Sequence, residues 1–235
     1  PEIIFAIPYD HKQGTVGNYL ASMTYHYNQK EAFDPAGKYQ WCGNGICAQP
    51  GVYSSFEAND VRRNCLLIGQ QYNAATGAPV LMANGEPLNY TEAIQDFTNA
   101  LQNEGARLDK YEWSANDQWE RDNDWVLMRY AEVLMMQAEA NFRLGFTQNA
   151  LDNINLVRRR AGLNDLAALT LDDLDKEWLH EFVFEGLRRT TNIRFGTFFQ
   201  AWWEKPAEAD NHTGLYPIPK VELDKNANLR QNPGY

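Results

Sequence analysis

The pattern of apolar and polar positions divides this chain in two. From Asp124 onward, apolar residues recur at Met128, Ala131, Met135, Ala138 and Phe142. Steps of three and four place them on one stripe of an amphipathic helix. Asp122 or Asp124 suits its N-cap, where a carboxylate is favoured by the helix dipole, and Gly145 suits its end. A second helix is predicted over 147–161, with Ala150, Leu151, Ile154 and Val157 facing inward and Gly162 as its stop. Thr170, with Asp173 three residues on, reads as the cap of a third helix. That helix is expected to run to about Arg188, burying Leu174, Trp178, Phe182 and Phe184. The first two helices have tetratricopeptide-like spacing in Ala138 and Phe142, Gly145, and Ala150-Leu151. One such hairpin cannot bury its own faces, so stacked neighbours are expected.

Residues 1–120 read differently. Apolar runs are short and lie between loops rich in Gly, Asn, Gln and Tyr. Ile3 to Ile7 is expected to be a buried strand. Two more strands are predicted over 65–72 and 79–83, separated by the turn-prone Asn73-Ala74-Ala75-Thr76-Gly77. A short helix is predicted over 56–63 and a helical turn or two over 97–104; 88–94 fits either type. The last twenty residues are constrained. Pro217 and Pro219 push Tyr216 and Ile218 into extended backbone, and Asn232-Pro233-Gly234 is a turn signal. That segment is expected to be non-helical and tied down on a body.

Composition narrows the function. With 235 residues, 44% of them hydrophobic, the chain can build one sizeable core or two small ones. A formal net charge of −10 repels a phosphate backbone, which argues against nucleic acid. No apolar run reaches membrane-spanning length. The start at Pro1, without Met and inside a strand pattern, is what a piece of a longer protein would show, with the native C-terminus expected to be present and any leader outside the chain. Cys42 and Cys47 flank a turn-forming loop and could pair in an exported protein, leaving Cys65 over. The four histidines are scattered at 11, 26, 180 and 212, which disfavours zinc.

Charged clusters have structural readings. Arg158, Arg159 and Arg160 end a helix, where cations suit the dipole and Glu181 or Glu185 can pair with them. Asp117, Glu120, Asp122 and Asp124 read as capping and solvated acids; no cofactor is expected, calcium being the one ion their oxygens would suit. No nucleophile elbow, HExxH or phosphate loop is present. The aromatics are the better candidates, since loop rings interleaved with amides suit a sugar, ring faces meeting its C–H groups and amides its hydroxyls. Tyr39, Trp41 and Asn44 lie in one Gly-rich loop, Tyr53 follows, and Trp113 and Trp119 precede the long helix. These six form the expected ligand-binding set. Trp202-Trp203 reads as packing at the end of a helical stretch.

Several ordered fragments resemble the SusD/RagB family of outer-membrane nutrient-binding lipoproteins. They are Glu2-Ile3-Ile4-Phe5-Ala6-Ile7-Pro8-Tyr9; Asn44-Gly45, Pro50 and Asn59-Asp60-Val61-Arg62; Gly105-Ala106-Arg107 with Lys110-Tyr111; Met128-Arg129-Tyr130-Ala131-Glu132-Val133 with Ala138-Glu139-Ala140; and Asn155, Val157-Arg158 and Arg160-Ala161-Gly162. Phe184-Glu185-Gly186, Arg188-Arg189, Ile193-Arg194-Phe195-Gly196 and the segment 216–235 follow in the family's order. The chain departs from the family at Thr191, where an acidic residue is usual, and at Trp178, where an arginine is usual, which puts local ion pairs in doubt. The resemblance implies a mainly α fold: an α/α superhelix with a TPR-like hairpin, plus a loop-rich region with a few short strands. The whole of 1–235 would be the C-terminal domain, with 1–120 as a loop-rich ligand-binding insert and 121–235 as scaffold and tail. It also implies a non-enzymatic, lipid-anchored cell-surface protein of the outer membrane that binds an oligosaccharide and delivers it to a SusC-like TonB-dependent transporter. A helical glycoside hydrolase and a TPR-type adaptor without small ligand are the alternative readings.

Overall fold

The computed structural model describes residues 2–10, 17–34, 41–111 and 121–235. The mainly helical expectation holds, with few and short strands. Helices α4 (Tyr130–Arg143) and α5 (Thr147–Arg160) form the hairpin that the periodicity predicts. Gly145, at φ +84°, lets the chain reverse between them. Their facing residues Met135, Ala138, Ala150, Ile154 and Val157 are buried with Leu174, Trp178 and Phe182 in one apolar cluster. The last three come from α6 (Leu171–Glu181) and its C-terminal flank. The predicted capping box is present, Thr170 and Asp173 each accepting from the other's backbone N–H.

Two helix boundaries differ from expectation. The long helix does not begin near Asp124. Residues Trp125–Arg129 form strand β6, antiparallel to β1 (Ile3–Ile7), with Ile7 opposite Trp125 and Ala6 opposite Val126. The aromatic and β-branched pair Trp125-Val126 favours extended backbone once a partner strand is at hand. Asp124 therefore caps nothing; its carboxylate accepts from the Tyr9 N–H at 3.1 Å. Helix α4 opens instead with the Tyr130 N–H donating to the Glu2 carbonyl at 2.8 Å. Strand β1 is not buried as expected: Ile3, Ile4 and Phe5 are each more than half exposed.

The third helix also ends early, at Glu181. Phe184 and Gly186 adopt positive φ, +65° and +81°, and turn the chain into α7 (Arg188–Phe195). That turn brings both Glu181 and Glu185 to Arg129.

In the loop-rich part, α1 (Leu20–Thr24), α2 (Lys30–Phe33) and α3 (Val52–Ser55) are single turns or little more. The helix expected over 56–63 is replaced by a 3-10 turn, Val61–Cys65, because the Asp60 carboxylate captures the Arg62 N–H at 2.9 Å and starts it there. The strands expected over 65–72 and 79–83 shrink to β2 (Leu66–Leu67), β3 (Gly69–Gln70) and the single bridges Tyr72–Pro79 and Leu81–Pro87. Their partners are β4 (Asn89–Tyr90) for β3 and β5 (Arg107–Leu108) for β2. Residues 97–104 form turns and no helix: the Asp96 carboxylate takes the Thr98 and Asn99 N–H groups at 2.8 and 2.7 Å. Cys42, Cys47 and Cys65 are free thiols, so the Cys42–Cys47 bridge is not formed.

The terminal segment is tied down as expected, though it contains one short helix, α8 (Lys220–Lys225). Side chains do the tying. The Gln231 amide both donates to and accepts from the Ile218 backbone, at 2.9 and 2.8 Å, Asn232 donates to the Tyr216 carbonyl at 2.8 Å, and the Tyr235 hydroxyl donates to the Leu215 carbonyl at 2.9 Å. Arg189 stacks over Tyr216 at 4.1 Å and so holds the clasp to α7.

A buried ion-pair network joins the two parts. Glu181 accepts from Arg62 at 2.9 Å, from Arg129 at 2.5 Å, and from Arg160. Arg62 also binds Asp60 and Glu177, Arg158 binds Glu177, and Arg129 and Lys110 both reach Glu185. Burial works against the Glu181 charge, but the guanidinium groups of Arg129 and Arg160 outweigh it and hold the carboxyl below the ordinary carboxylate range. At Glu177 burial wins, and its carboxyl is pushed up despite Arg62 and Arg158. The expected departures are accommodated nearby. Arg194 pairs with Glu139 at 2.9 Å and lies 4.8 Å over the Trp178 ring, while Thr191 donates to the Leu187 carbonyl. Next to the network, His180 stacks on Phe56 at 4.0 Å and hydrogen-bonds Ser55 at 2.9 Å.

Replacing Glu181 with Gln should destabilise the protein by about 3–5 kcal/mol in urea unfolding, because buried arginines lose their counter-charge; a loss under about 1 kcal/mol would show that the network is solvated. His180 gives an acid signature. Burial, then the Arg62 charge, depresses its pKa from 6.5 to about 4. Between those values the unfolded chain binds a proton that the native chain does not, so stability falls as pH falls. His180→Gln should flatten that stretch of the thermal-unfolding profile between pH 6.5 and 4; an unchanged slope would assign the acid sensitivity to other groups.

Candidate functional site

The loop following Trp41 is laid along the C-terminal end of α1. Gly43 N–H donates to the Ser22 carbonyl, Asn44 N–H to Tyr25, and Gly45 N–H to Met23, at 2.7–2.8 Å. The orphan carbonyls of a helix end are thereby satisfied by a loop rather than by water. The absence of a side chain at Gly43 leaves room for the Trp41 indole: a Cβ there would come within 2.8 Å of the ring and displace it. The ring thus lies over Gly43 with 41% of its residue surface still exposed.

A buried arginine holds the other side of this loop. Arg107, only 3% exposed, sends its guanidinium to the Glu104 carbonyl at 2.8 Å, Gly105 at 3.1 Å, Gln102 at 2.6 Å and the Asn44 side-chain oxygen at 2.9 Å. The Asn44 amide nitrogen in turn donates to the Gln102 carbonyl at 3.0 Å. Asn44 sits at φ +47°, a left-handed conformation that asparagine tolerates. Gly105, at φ +82°, packs against Cys47, leaving no room for a Cβ. The loop is therefore pinned from both flanks and carries an exposed indole.

The structure does not gather the other expected residues around it. Asn44 spends its amide on bracing the loop. Tyr53 packs against the Phe56, Leu66 and Leu108 cluster with the Arg63 guanidinium 3.9 Å over its ring. Tyr39, Trp113 and Trp119 lie outside the described residues, as do Asp117 and Glu120 of the acidic cluster. Among the described residues no group of three or more His, Cys, Asp or Glu side chains is arranged to hold a metal ion. The arginine trio pairs as expected with Glu181 through Arg160, with Arg159 on Asp165 and Arg158 on Glu57 and Glu177.

The sequence reading of Trp202-Trp203 changes. They do not end a helix: α7 stops at Phe195, and the two tryptophans belong to a tight turn closed by Trp202–Lys205 backbone bonds of 3.0 and 2.7 Å. That turn faces the other end of the pinned loop, 45–49, across an open cavity of about 550 Å³. Phe97, on the same cavity, is 81% exposed. A tryptophan pair has no periodicity to mark which face it presents; the only sequence signal was Glu204-Lys205-Pro206 after it, a turn signature.

Comparison with known proteins places the chain. Residues 1–214 match the model of the SusD family. The chain is 37% identical over 123 residues to the starch-binding protein SusD of Bacteroides thetaiotaomicron, a match covering 48% of this chain and 22% of that protein. It is 26% identical over 210 residues to the SusD-like protein P2 of Formosa agariphila, covering 78% and 39%. Among solved structures, surface glycan-binding protein A of Bacteroides thetaiotaomicron in complex with laminarihexaose superposes with a TM-score of 0.67 at 27% identity, over 98% of this chain and 52% of that one. The chain thus spans about half or less of the length of these relatives. With the fold, the ordered motifs and this match over most of its length in agreement, the chain belongs to the SusD family.

Proposed function

We propose that this chain is the C-terminal part of a cell-surface protein that binds a neutral oligosaccharide without cleaving it and delivers it to a SusC-like TonB-dependent transporter, the whole being held to the outer membrane by a lipid anchor. The observation that carries the reading is the exposed Trp41 on a loop fixed by Arg107 and by the end of α1. A rigid aromatic face offers stacking for a sugar ring at little ordering cost. The relatives named for starch and glycan binding support the ligand class. Tyr39, Trp113 and Trp119 remain candidate ligand contacts, with Asn44 bracing the loop and Tyr53 packing beneath Arg63.

Two measurements test this. In affinity electrophoresis through starch or laminarin gels, the intact protein should be retarded and the Tyr39→Ala/Trp41→Ala double variant should not. Each lost ring is expected to cost up to about tenfold in affinity, from stacking worth about 0.5–1.5 kcal/mol. Unchanged retardation would remove this loop from the site, and release of reducing ends would make the protein a hydrolase. Arg107→Met leaves four oxygens without their donor and should lower stability by about 3 kcal/mol while weakening glycan binding; a variant with full stability would show that the loop holds its shape without the clamp.

A further inference from the structure

The cavity between the turn 202–205 and the loop 45–49 has features that folding alone does not require. Phe97 leaves four-fifths of its surface in water, forgoing about 1.5–3 kcal/mol that burying a phenyl ring would contribute. Its backbone is nevertheless fixed: the Phe97 N–H donates to the Glu204 carboxylate at 2.7 Å. Glu204 itself sits at φ +54°, in the left-handed region that costs a non-glycine residue free energy. An exposed ring and a strained acidic residue thus hold each other across the cavity, and Trp202 and Trp203 stand on the same strained turn.

The charges define what could enter. The Lys205 ammonium is occupied, 2.8 Å from Glu208 and about 5.5 Å above the Trp202 ring. Glu204 adds negative charge, and Gln49 adds an uncharged amide to the opposite wall. An anion would meet a carboxylate and a cation already paired. A neutral ligand with apolar faces and hydroxyl edges would meet rings, an amide and a carboxylate acceptor. The volume lies within the range of small-molecule sites, about 300–1,000 Å³.

We infer that this cavity is a subsite for a neutral pyranose unit, stacked on Phe97 or Trp202 and hydrogen-bonded by Gln49 and Glu204, separate from the Trp41 face. The inference rests on the carbohydrate-binding reading above and adds a second place of contact.

Isothermal titration of the intact protein with maltohexaose and laminarihexaose tests it. The Phe97→Ala/Trp202→Ala variant should bind at least one of the two hexasaccharides tenfold or more weakly, and Ala100→Trp, which fills the cavity without removing a ring, should do the same. Circular dichroism and melting temperature check that both variants fold; the altered residues are exposed. Wild-type affinity for both sugars in both variants, with binding lost in Tyr39→Ala/Trp41→Ala, would overturn the subsite and leave the carbohydrate reading standing. Failure of the unaltered protein to bind either sugar would overturn that reading and the subsite with it.

Discussion

Glu181 is the point at which this structure is decided. One carboxylate on the last turn of α6 takes guanidinium groups from the 3-10 turn, from the end of β6 and from the end of α5. Each arginine arrives from a different stretch of chain. Removing two or three such charges from water is costly and is offset only when geometry and counter-charge are both satisfied. The network therefore does more to specify arrangement than to add stability. It fixes where α6 ends, where the chain turns at Phe184, and how the loop-rich part sits against the helical part at Asp60 and Arg62, beside the His180–Phe56 stack.

The sequence was most readable where chemistry is local. Thr170 and Asp173 form their capping box with each other, and α5 follows its own periodicity between Phe146 and Gly162. It misled where a distant segment decides. Nothing between Asp122 and Arg129 states that Ile3–Ile7 will lie alongside, and without that partner the stripe through Met128 looks helical. In the same way Glu185 looks like a helical residue until Arg129 is placed beside it. The family motifs were legible as words, Asn59-Asp60-Val61-Arg62 or Phe184-Glu185-Gly186, but their shared role as poles of one network appears only when the chain is folded.

The candidate site shows the same division. Trp41 and Asn44 stand out in a Gly-rich loop because their neighbours rule out helix and strand. That Asn44 braces the loop depends on Arg107, more than sixty residues away. Trp202-Trp203 resembled core residues, since large aromatic residues usually are; the reversal of the chain at Glu204 leaves Trp202 exposed and Trp203 half-buried. The two departures from the family pattern were absorbed locally. Where a second arginine would have stood, Trp178 offers its π face to Arg194, and Glu139 supplies the charge that Thr191 lacks.

The Arg107 clamp has one property that the Glu181 network lacks. All four of its hydrogen-bond acceptors are amide oxygens, and an amide does not ionise in the range any cell encounters. Buried from counterions, the clamp is also little touched by ionic strength. Acid, by protonating carboxylates, can thus loosen the scaffold while the 41–47 loop keeps its form. The protein separates the part that tolerates acid from the part that responds to it, and puts the loop that carries Trp41 on the tolerant side.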